Sequence, residues 1–262
     1  MLLMDSHAHI DARVYNKDRD QVIARAEEAG VRFIINAGLD LESSTASLKL
    51  AQQYAGVFVA IGFHPHNAAK MKDGDLDKLA QLSQEPEVVA IGEIGLDFYR
   101  NLSPREAQIE AFEQQLELAQ RVNLPVIIHC RNAQDEVFAI LAQWAGRQRG
   151  NPLGVLHCFS GDRELAERYI ALGFFISLAG PVTYPSSSAA EIARDIPLDS
   201  LLIETDCPFL APVPYRGKRN EPAFLPLVAE RLGEIRGLSL EEVAENTAQN
   251  ALRLFRLLVQ AF

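Results

Sequence analysis

The feature that most constrains the fold is a regular alternation of short apolar runs with longer stretches of helical periodicity. Eight runs are predicted to be strands, at residues 2–6, 32–36, 57–61, 88–92, 125–129, 154–157, 174–177 and 201–205. Most of these runs are too apolar to leave one face in water, which is typical of parallel strands covered on both faces. The pattern therefore predicts an α/β fold built on a parallel sheet.

Eight strands, each followed by a helical stretch, favour a closed barrel, the (β/α)8 or TIM barrel, over an open sheet. An open doubly wound sheet stays possible on this pattern, but no glycine-rich phosphate loop follows the first strand, as that fold favours. A length of 262 residues suits one barrel, and we expect a single domain over residues 1–262.

Three helical regions have boundary signals that can be checked. Helices are predicted at 105–122 and 134–147, and the first should begin with Ser103 as its cap and Pro104 as its first residue. A last helical region should open at a capping box formed by Ser239 and Glu242.

The acidic composition limits how this chain could bind a substrate. The formal net charge is -10 at pH 7. This argues against sequence-blind binding of duplex DNA, because such binding uses a basic face to displace counterions. A phosphate substrate stays possible, since bound metal ions can supply the local positive charge that the surface lacks.

No part of the sequence suggests a membrane segment. No apolar run approaches the roughly 20 residues that a spanning helix needs. The stretch before Asp5 is too short for the apolar region of a signal peptide. Three widely spaced cysteines give no disulfide or zinc pattern, so we expect a reduced, cytoplasmic setting without membrane contact.

The histidines carry the main functional signal. Every one falls at or just past the C-terminal end of a predicted strand: His7, His9, His64, His66, His129 and His157. In a barrel these strand ends open onto one face, so we expect the rings to converge. The first two lie two residues apart on the same side of a strand and suit a divalent transition metal. A hydrogen-bonded pair of loop histidines is the alternative.

Carboxylates lie at two of the same strand ends. Glu93 follows the fourth strand, where a buried carboxylate needs a partner, either a metal or an arginine. Asp206 follows the eighth strand, with Glu204 one layer deeper on the same face. Alone, His129 or His157 would be an ordinary barrel-rim histidine, but metal ligation is favoured when they are taken with the others.

These strand ends provide four histidines and two carboxylates as candidate ligands: His7, His9, His129, His157, Glu93 and Asp206. One tetrahedral zinc needs fewer ligands than this, so two divalent ions bridged by Glu93 form the economical arrangement. A water held between two cations would resemble hydroxide near neutral pH, and Asp206 could orient or deprotonate it. We therefore take Asp206 and Glu93 as the catalytic candidates.

Other residues near the predicted mouth are candidates for substrate contact. His64 and His66 follow the third strand and could donate to a phosphoryl oxygen, although a locally hydrogen-bonded turn is the alternative. Arg131 follows the fifth strand, and its planar guanidinium suits phosphate, although a solvated loop charge is the alternative. Each cysteine follows a candidate ligand by one residue, so the strand period of two predicts that the thiols face the helix layer.

Seven short motifs occur in a fixed order: DSHAH at 5–9, GFHPH at 62–66, GEIGLD at 92–97, PVIIH at 125–129, HCFSG at 157–161, ETDCP at 204–208 and NALRLF at 250–255. With them the chain resembles the TatD-like metal-dependent deoxyribonucleases, a branch of the amidohydrolase-type barrels. The resemblance implies metal ligation by His7, His9, Glu93, His129, His157 and Asp206, with Glu93 touching both ions. It also implies magnesium, manganese or zinc, and 3′-5′ exonuclease or related phosphodiesterase activity on single-stranded DNA or RNA.

We therefore expect a divalent-metal-dependent hydrolase whose substrate is single-stranded nucleic acid or a small phosphodiester, with no stable protein partner implied. The alternative is hydrolysis of a C–N bond in a small molecule by an amidohydrolase-type enzyme. Many such enzymes bridge their metals with a carbamylated lysine on strand four, where this chain has Glu93. The absence of a lysine at this position disfavours the lysine-bridged amidohydrolases, but it does not disfavour the other amidohydrolases. A non-catalytic binding module would lack a ligand, and none is missing from the sequence.

Overall fold

The computed structural model describes residues 2–148, 150, 152–185 and 187–257. Its strands form one parallel sheet in chain order: β1 (Leu3–Ala8), β2 (Val31–Ala37), β3 (Val57–Ile61), β4 (Val88–Asp97), β5 (Val126–Arg131), β6 (Gly154–Leu156), β7 (Phe174–Leu178) and β8 (Leu201–Ile203). The helices are α1 (Arg19–Glu28), α2 (Leu41–Ala51), α3 (Asp75–Leu82), α4 (Arg105–Val122), α5 (Gln134–Ala145), α6 (Arg163–Ala171), α7 (Ala189–Asp195), α8 (Leu225–Arg236) and α9 (Leu240–Phe255).

The sheet closes between its first strand and the segment after its last one. The backbone N–H of Asp206 donates to the carbonyl of His7 at 2.9 Å, and the N–H of His9 donates to the carbonyl of Cys207 at 2.8 Å. The predicted (β/α)8 barrel is confirmed, and the open sheet is excluded.

All eight predicted strands are present, but several end at other residues than expected. β4 continues to Asp97 rather than stopping before Glu93, because residues 94–97 pair with β5. Gly95 makes this close pairing possible: its φ is 138°, and a Cβ there would lie 2.0 Å from the carbonyl oxygen of His129. Glu93 therefore lies inside a strand, which holds its backbone more firmly than a loop would.

The helix boundaries were predicted in part: α4 spans residues 105–122 as expected, and α5 begins at Gln134 but ends at Ala145 rather than at residue 147. The capping box at α9 is confirmed, with Glu242 N–H donating to Ser239 Oγ at 3.2 Å and Ser239 N–H donating to Glu242 Oε2 at 2.8 Å. Ser103 does not cap α4, which begins after Pro104. Instead Ser103 Oγ donates to the carbonyl of His66 at 3.0 Å and accepts from Ala69 N–H at 3.1 Å. A tertiary contact has displaced the local one.

Two apolar clusters follow the alternation of each strand. One lies between the sheet and the surrounding helices, and includes Leu3 and Ile128. The other fills the N-terminal part of the barrel interior, from Met4 and Ile127 to Leu254 of α9. The interior is thus filled at this end, and the polar residues collect at the C-terminal end, where TIM-barrel sites form. None of the described helices combines the length and apolar character that crossing a bilayer would take.

Candidate metal centre

The six histidines converge at the C-terminal end of the barrel, as their strand-end positions predicted. His7 lies in β1, His129 in β5 and His157 just past β6. The rings of His7 and His157 stack with centroids 4.0 Å apart, and those of His64 and His129 are 4.6 Å apart. His66 lies at the edge of the cluster, 6.3 Å from His129.

Glu93 lies between two groups of side chains, and each of its carboxylate oxygens faces one group. Oε2 is 3.3 Å from His7 Nε2 and 3.6 Å from His9 Nε2. Asp206 Oδ1 completes this first group, at 3.8 Å and 3.7 Å from the same two nitrogens. We call His7, His9 and Asp206 the first group.

The other oxygen of Glu93 faces three imidazoles. Oε1 is 2.7 Å from His129 Nδ1, 2.8 Å from His157 Nε2 and 3.4 Å from His64 Nε2. We call His64, His129 and His157 the second group. Glu93 is thus positioned to bridge the two groups with its two oxygens, and it is almost completely buried.

The donor set fits divalent cations better than a hydrogen-bond network. Glu93 Oε1 faces three imidazole nitrogens, more than its two lone pairs can serve. Nitrogen and oxygen ligands about 2.1 Å from one tetrahedral ion lie roughly 3.4 Å apart, close to the spacings in the first group. In the second group His64 lies at this distance from Glu93, whereas His129 and His157 lie at hydrogen-bonding distance from it. Among the described residues, every cationic side chain within 4 Å of Glu93 is a histidine, so the alternative of an arginine salt bridge is not observed.

The electrostatics of the centre act differently on its imidazoles. Burial lowers the pKa of both His7 and His64 to about 4, which keeps these rings neutral and able to ligate. In His129 and His157 the nearby carboxylates outweigh burial and raise the pKa. Burial alone would raise the pKa of Glu93, but the neighbouring His157, His64 and His7 outweigh it and lower that pKa. Burial raises the pKa of Asp206 to about 6.

Behind the second group stand two buried carboxylates. Asp97 Oδ2 lies 2.8 Å from His66 Nε2 and 3.3 Å from His129 Nε2, on the ring edge away from Glu93. Glu204 Oε1 lies 3.3 Å from His157 Nδ1, although β8 ends at Ile203, so the strand period used to place Glu204 does not apply there. Such partners orient a ligating imidazole and raise its basicity. No role was predicted for Asp97 from the sequence. Its position four residues past Glu93 points to the centre only when β4 is known to continue that far.

The first group is held mainly by backbone atoms. His9 Nδ1 lies 2.9 Å from the carbonyl oxygen of Ala37. Asp206 has a left-handed backbone with φ of 53°, and its hydrogen bond to His7 fixes it beside β1. No described side chain forms a hydrogen bond with His7 Nδ1. The two groups therefore differ in what lies behind them.

The three candidates for substrate contact occupy different places. His64 lies within the centre, so its position fits a metal ligand as well as a substrate contact. Its Nδ1 accepts from the backbone N–H of His66 at 3.0 Å, which turns Nε2 toward Glu93. Arg131 is exposed outside the cluster, with its guanidinium 4.0 Å from the centroid of the Tyr99 ring.

The strand period behind the expectation for the thiols does not hold at Cys158. β6 ends at Leu156, and Cys158 has a left-handed backbone with a φ of 43°. Burial and the nearby carboxylates of Asp206 and Glu204 raise the pKa of this thiol. Cys207 is buried, as expected of a small core residue.

Comparison with known proteins agrees with this site. A family model described as TatD related DNase matches residues 4–256. An uncharacterized metal-dependent hydrolase of Bacillus subtilis, YabD, is 42% identical over 98% of this chain and 100% of its own length. The 3′-5′ ssDNA/RNA exonuclease TatD of Shigella flexneri is 38% identical over 97% of this chain and 98% of its own. The solved structure of YJJV, a TatD homologue of Escherichia coli, has a TM-score of 0.91 and 34% identity, with 98% of each chain covered.

Proposed function

The chain belongs to the TatD-related DNase family and is a metal-dependent hydrolase, and we propose that it removes nucleotides from the 3′ ends of single-stranded DNA or RNA. One support is the Shigella flexneri relative, named as an exonuclease of this polarity and similar over nearly the whole chain. The Bacillus subtilis relative has a higher identity, but its name gives hydrolysis without a substrate. The centre itself therefore has to carry the rest of the argument.

The observation that carries the proposal is the bridging position of Glu93 between two donor groups. We propose two divalent ions, magnesium, manganese or zinc, with His7, His9 and Asp206 on one side and His129 and His157 on the other. Two cations about 4 Å apart would polarise a phosphoryl oxygen and lower the pKa of an attacking water. In-line displacement at phosphorus is the reaction that such a pair suits best.

The side chains of this protein have distinct tasks in that reaction. Asp206 orients the attacking water and accepts its proton; its side chain is 13% exposed, against 3% for Glu93, so it can reach a substrate in the mouth. His66 contacts a phosphoryl oxygen from the edge of the centre, held by Asp97. His64 either contacts the same phosphoryl oxygen as His66 or binds a metal together with His129 and His157. Arg131 binds a phosphate farther out, through its planar donors.

The shape and charge of the molecule favour the end of a single strand as substrate. The reacting groups lie within the mouth of a barrel, which admits a strand end more readily than a continuous duplex. A net charge of -10 provides little counterion release on a duplex surface. Recognition must therefore occur close to the centre.

The test is hydrolysis by the purified, metal-supplemented protein of single-stranded DNA, RNA, simple phosphodiesters and cyclic amides. We expect mononucleotides from 3′ ends, and Glu93→Gln should lower kcat/KM by about 10³ or more, since it removes the bridge between both groups. Glu117→Gln, on the exposed face of α4, is the matched control. Amide hydrolysis without phosphodiester hydrolysis would instead establish the amidohydrolase alternative.

A further inference from the structure

The large exposed apolar side chains of the described residues are confined to one end of the barrel. Five large ones are exposed, and all follow the C-terminal end of a strand: Val14 after β1, Tyr99 and Leu102 after β4, and Phe209 and Val213 after β8. Isolated exposed apolar residues are ordinary on a protein surface. Their restriction to the loops around the metal centre is not, and it indicates a binding surface.

Two of the five are aromatic, and they lie across the mouth from each other. In a closed barrel of eight strands in chain order, β4 and β8 are on opposite sides. The ring of Phe209 is 6.3 Å from that of His9, in the first group. The backbone N–H of Tyr99 donates to Asp97, which contacts His129 of the second group. The ring of Phe209 therefore lies beside the first group, and Tyr99 lies two residues past the end of β4, beside the second group.

Both rings are open to solvent while their backbones are fixed. Phe209 is 59% exposed, yet its carbonyl accepts from Asn220 Nδ2 at 2.7 Å and its N–H donates to Asp206 at 2.9 Å. Tyr99 is 60% exposed, although the guanidinium of Arg131 covers one ring face at 4.0 Å. Rings held in this way lose little conformational entropy when a ligand stacks on them.

We propose that Tyr99 and Phe209 stack the two nucleobases on either side of the scissile phosphodiester, an inference that rests on the proposed function. Arg131, stacked on Tyr99, contacts the phosphate on that side. Stacking on an aromatic side chain contributes about 1–3 kcal/mol per base and is tolerant of sequence. In a protein with a formal net charge of -10, this contribution supplies the affinity that counterion release supplies elsewhere. Duplex bases are unavailable for such stacking, so the rings select single strands.

The test compares two substrates that differ only in their bases: a short oligothymidylate, and the same oligonucleotide with abasic residues at its terminal positions. The wild-type protein should have a KM about 100-fold lower for the first, roughly tenfold for each stacked base. Tyr99→Leu and Phe209→Leu should each reduce this ratio to about tenfold, because leucine keeps the apolar surface and removes the π face. A ratio unchanged in both variants overturns the inference.

Leu102→Ala and Val213→Ala are the matched controls, since both side chains are exposed on the same two loops and neither can stack. Their KM ratios should stay at the wild-type value. If they fall as far as the leucine variants, the loops act through general apolar contact, and base stacking by the two rings is wrong.

A binding measurement separates failure of this inference from failure of the proposed function. Fluorescence anisotropy of an oligothymidylate labelled at the end away from the centre, with hydrolysis-resistant phosphorothioate linkages at the other end, reports the affinity of the metal-loaded protein. Binding that weakens in Tyr99→Leu and Phe209→Leu without any hydrolysis in the presence of metals would sink only the proposed reaction. Hydrolysis with unaltered KM ratios would sink only the stacking. Absence of binding in the wild-type protein overturns the inference.

Discussion

The two ends of the barrel interior are built from opposite kinds of residue on the same strands. In β1, Met4 belongs to the apolar cluster of the N-terminal end, and His7 follows only three residues later in the metal centre. In β5, Ile127 belongs to the same apolar cluster, and His129 lies two residues later in the metal centre. These two strands are therefore each divided into a lower part that packs and an upper part that carries chemistry.

The difference teaches where stability and activity come from in this molecule. The lower part buries aliphatic side chains from the strands against Leu254 and Phe255 of α9, which is favourable in itself. The upper part buries carboxylates and imidazoles, and the raised pKa of Asp206, about 6, records how burial disfavours its charge. We expect substitutions at the upper end to alter activity, and substitutions at the lower end to alter the free energy of unfolding.

The largest effect expected from breaking this division is that of Asp206→Asn. The substitution should lower kcat by about 10²–10⁴ because the amide cannot accept a proton from water. The midpoint of thermal unfolding should stay the same or rise, since a neutral amide avoids the cost of a buried carboxylate. Hydrolysis of single-stranded DNA and thermal unfolding are measured on the same preparation, with Asp77→Asn on the exposed surface of α3 as control. A sharply lowered midpoint would show that the polar end also maintains the fold.

Leu254→Ala tests the opposite end. Leu254 is fully buried in the lower cluster, so its truncation should reduce the free energy of unfolding by about 2–5 kcal/mol. The kcat of the folded protein should remain near the wild-type value, because the centre lies at the other end of the barrel. Urea unfolding and steady-state kinetics check the two parts. Leu102→Ala, which removes the same atoms from an exposed side chain, is the control.

Asp97→Asn sharpens the comparison within the upper end. Asp97 supports His129 from behind, whereas the rings of the first group have backbone or no support. Loss of such a carboxylate typically weakens metal affinity by about 10–100-fold. Isothermal titration calorimetry with manganese should show this decrease in affinity. Thermal unfolding should show little change in the midpoint. An unchanged affinity would mean that Asp97 serves only the turn that follows β4.

The smallest effect is expected from Ser239→Ala at the start of α9. The substitution removes the capping box and should cost about 1 kcal/mol in unfolding free energy. Ser188→Ala is a matched control, because Ser188 occupies the same position at α7 but forms no side-chain cap, so it should change stability by less than about 0.5 kcal/mol. Equal effects of the two variants would show that the box contributes nothing to holding α9 on the lower cluster.

The fold could be predicted because its strands are continuous apolar runs, which local sequence reveals. The end of β4 could not, since its extension from Ile94 to Asp97 depends on pairing with β5, more than thirty residues later in the chain. The Ser103 cap failed for a related reason: the hydroxyl binds the turn around His66 instead. Local patterns predict elements well, and they fail where a distant partner competes for the same atoms.

The centre was predictable to the same extent. Convergence of the histidines follows from barrel topology alone, and Glu93 stands where the bridging position was expected. Two features were not predictable, because both depend on where strands end: the carboxylates behind the rings, above all Asp97, and the left-handed backbone of Cys158. The ligand assignments themselves stay predictions until metals are bound and measured.

The packing of α9 on the lower cluster has a consequence for how the chain matures on the ribosome. All eight strands are translated before Leu240–Phe255. The lower cluster therefore stays exposed to solvent until that helix emerges from the ribosomal exit tunnel. The strands can associate earlier, but the lower cluster is sealed only after release of this segment. Nascent chains paused before Leu240 should therefore bind chaperones that recognise apolar surface.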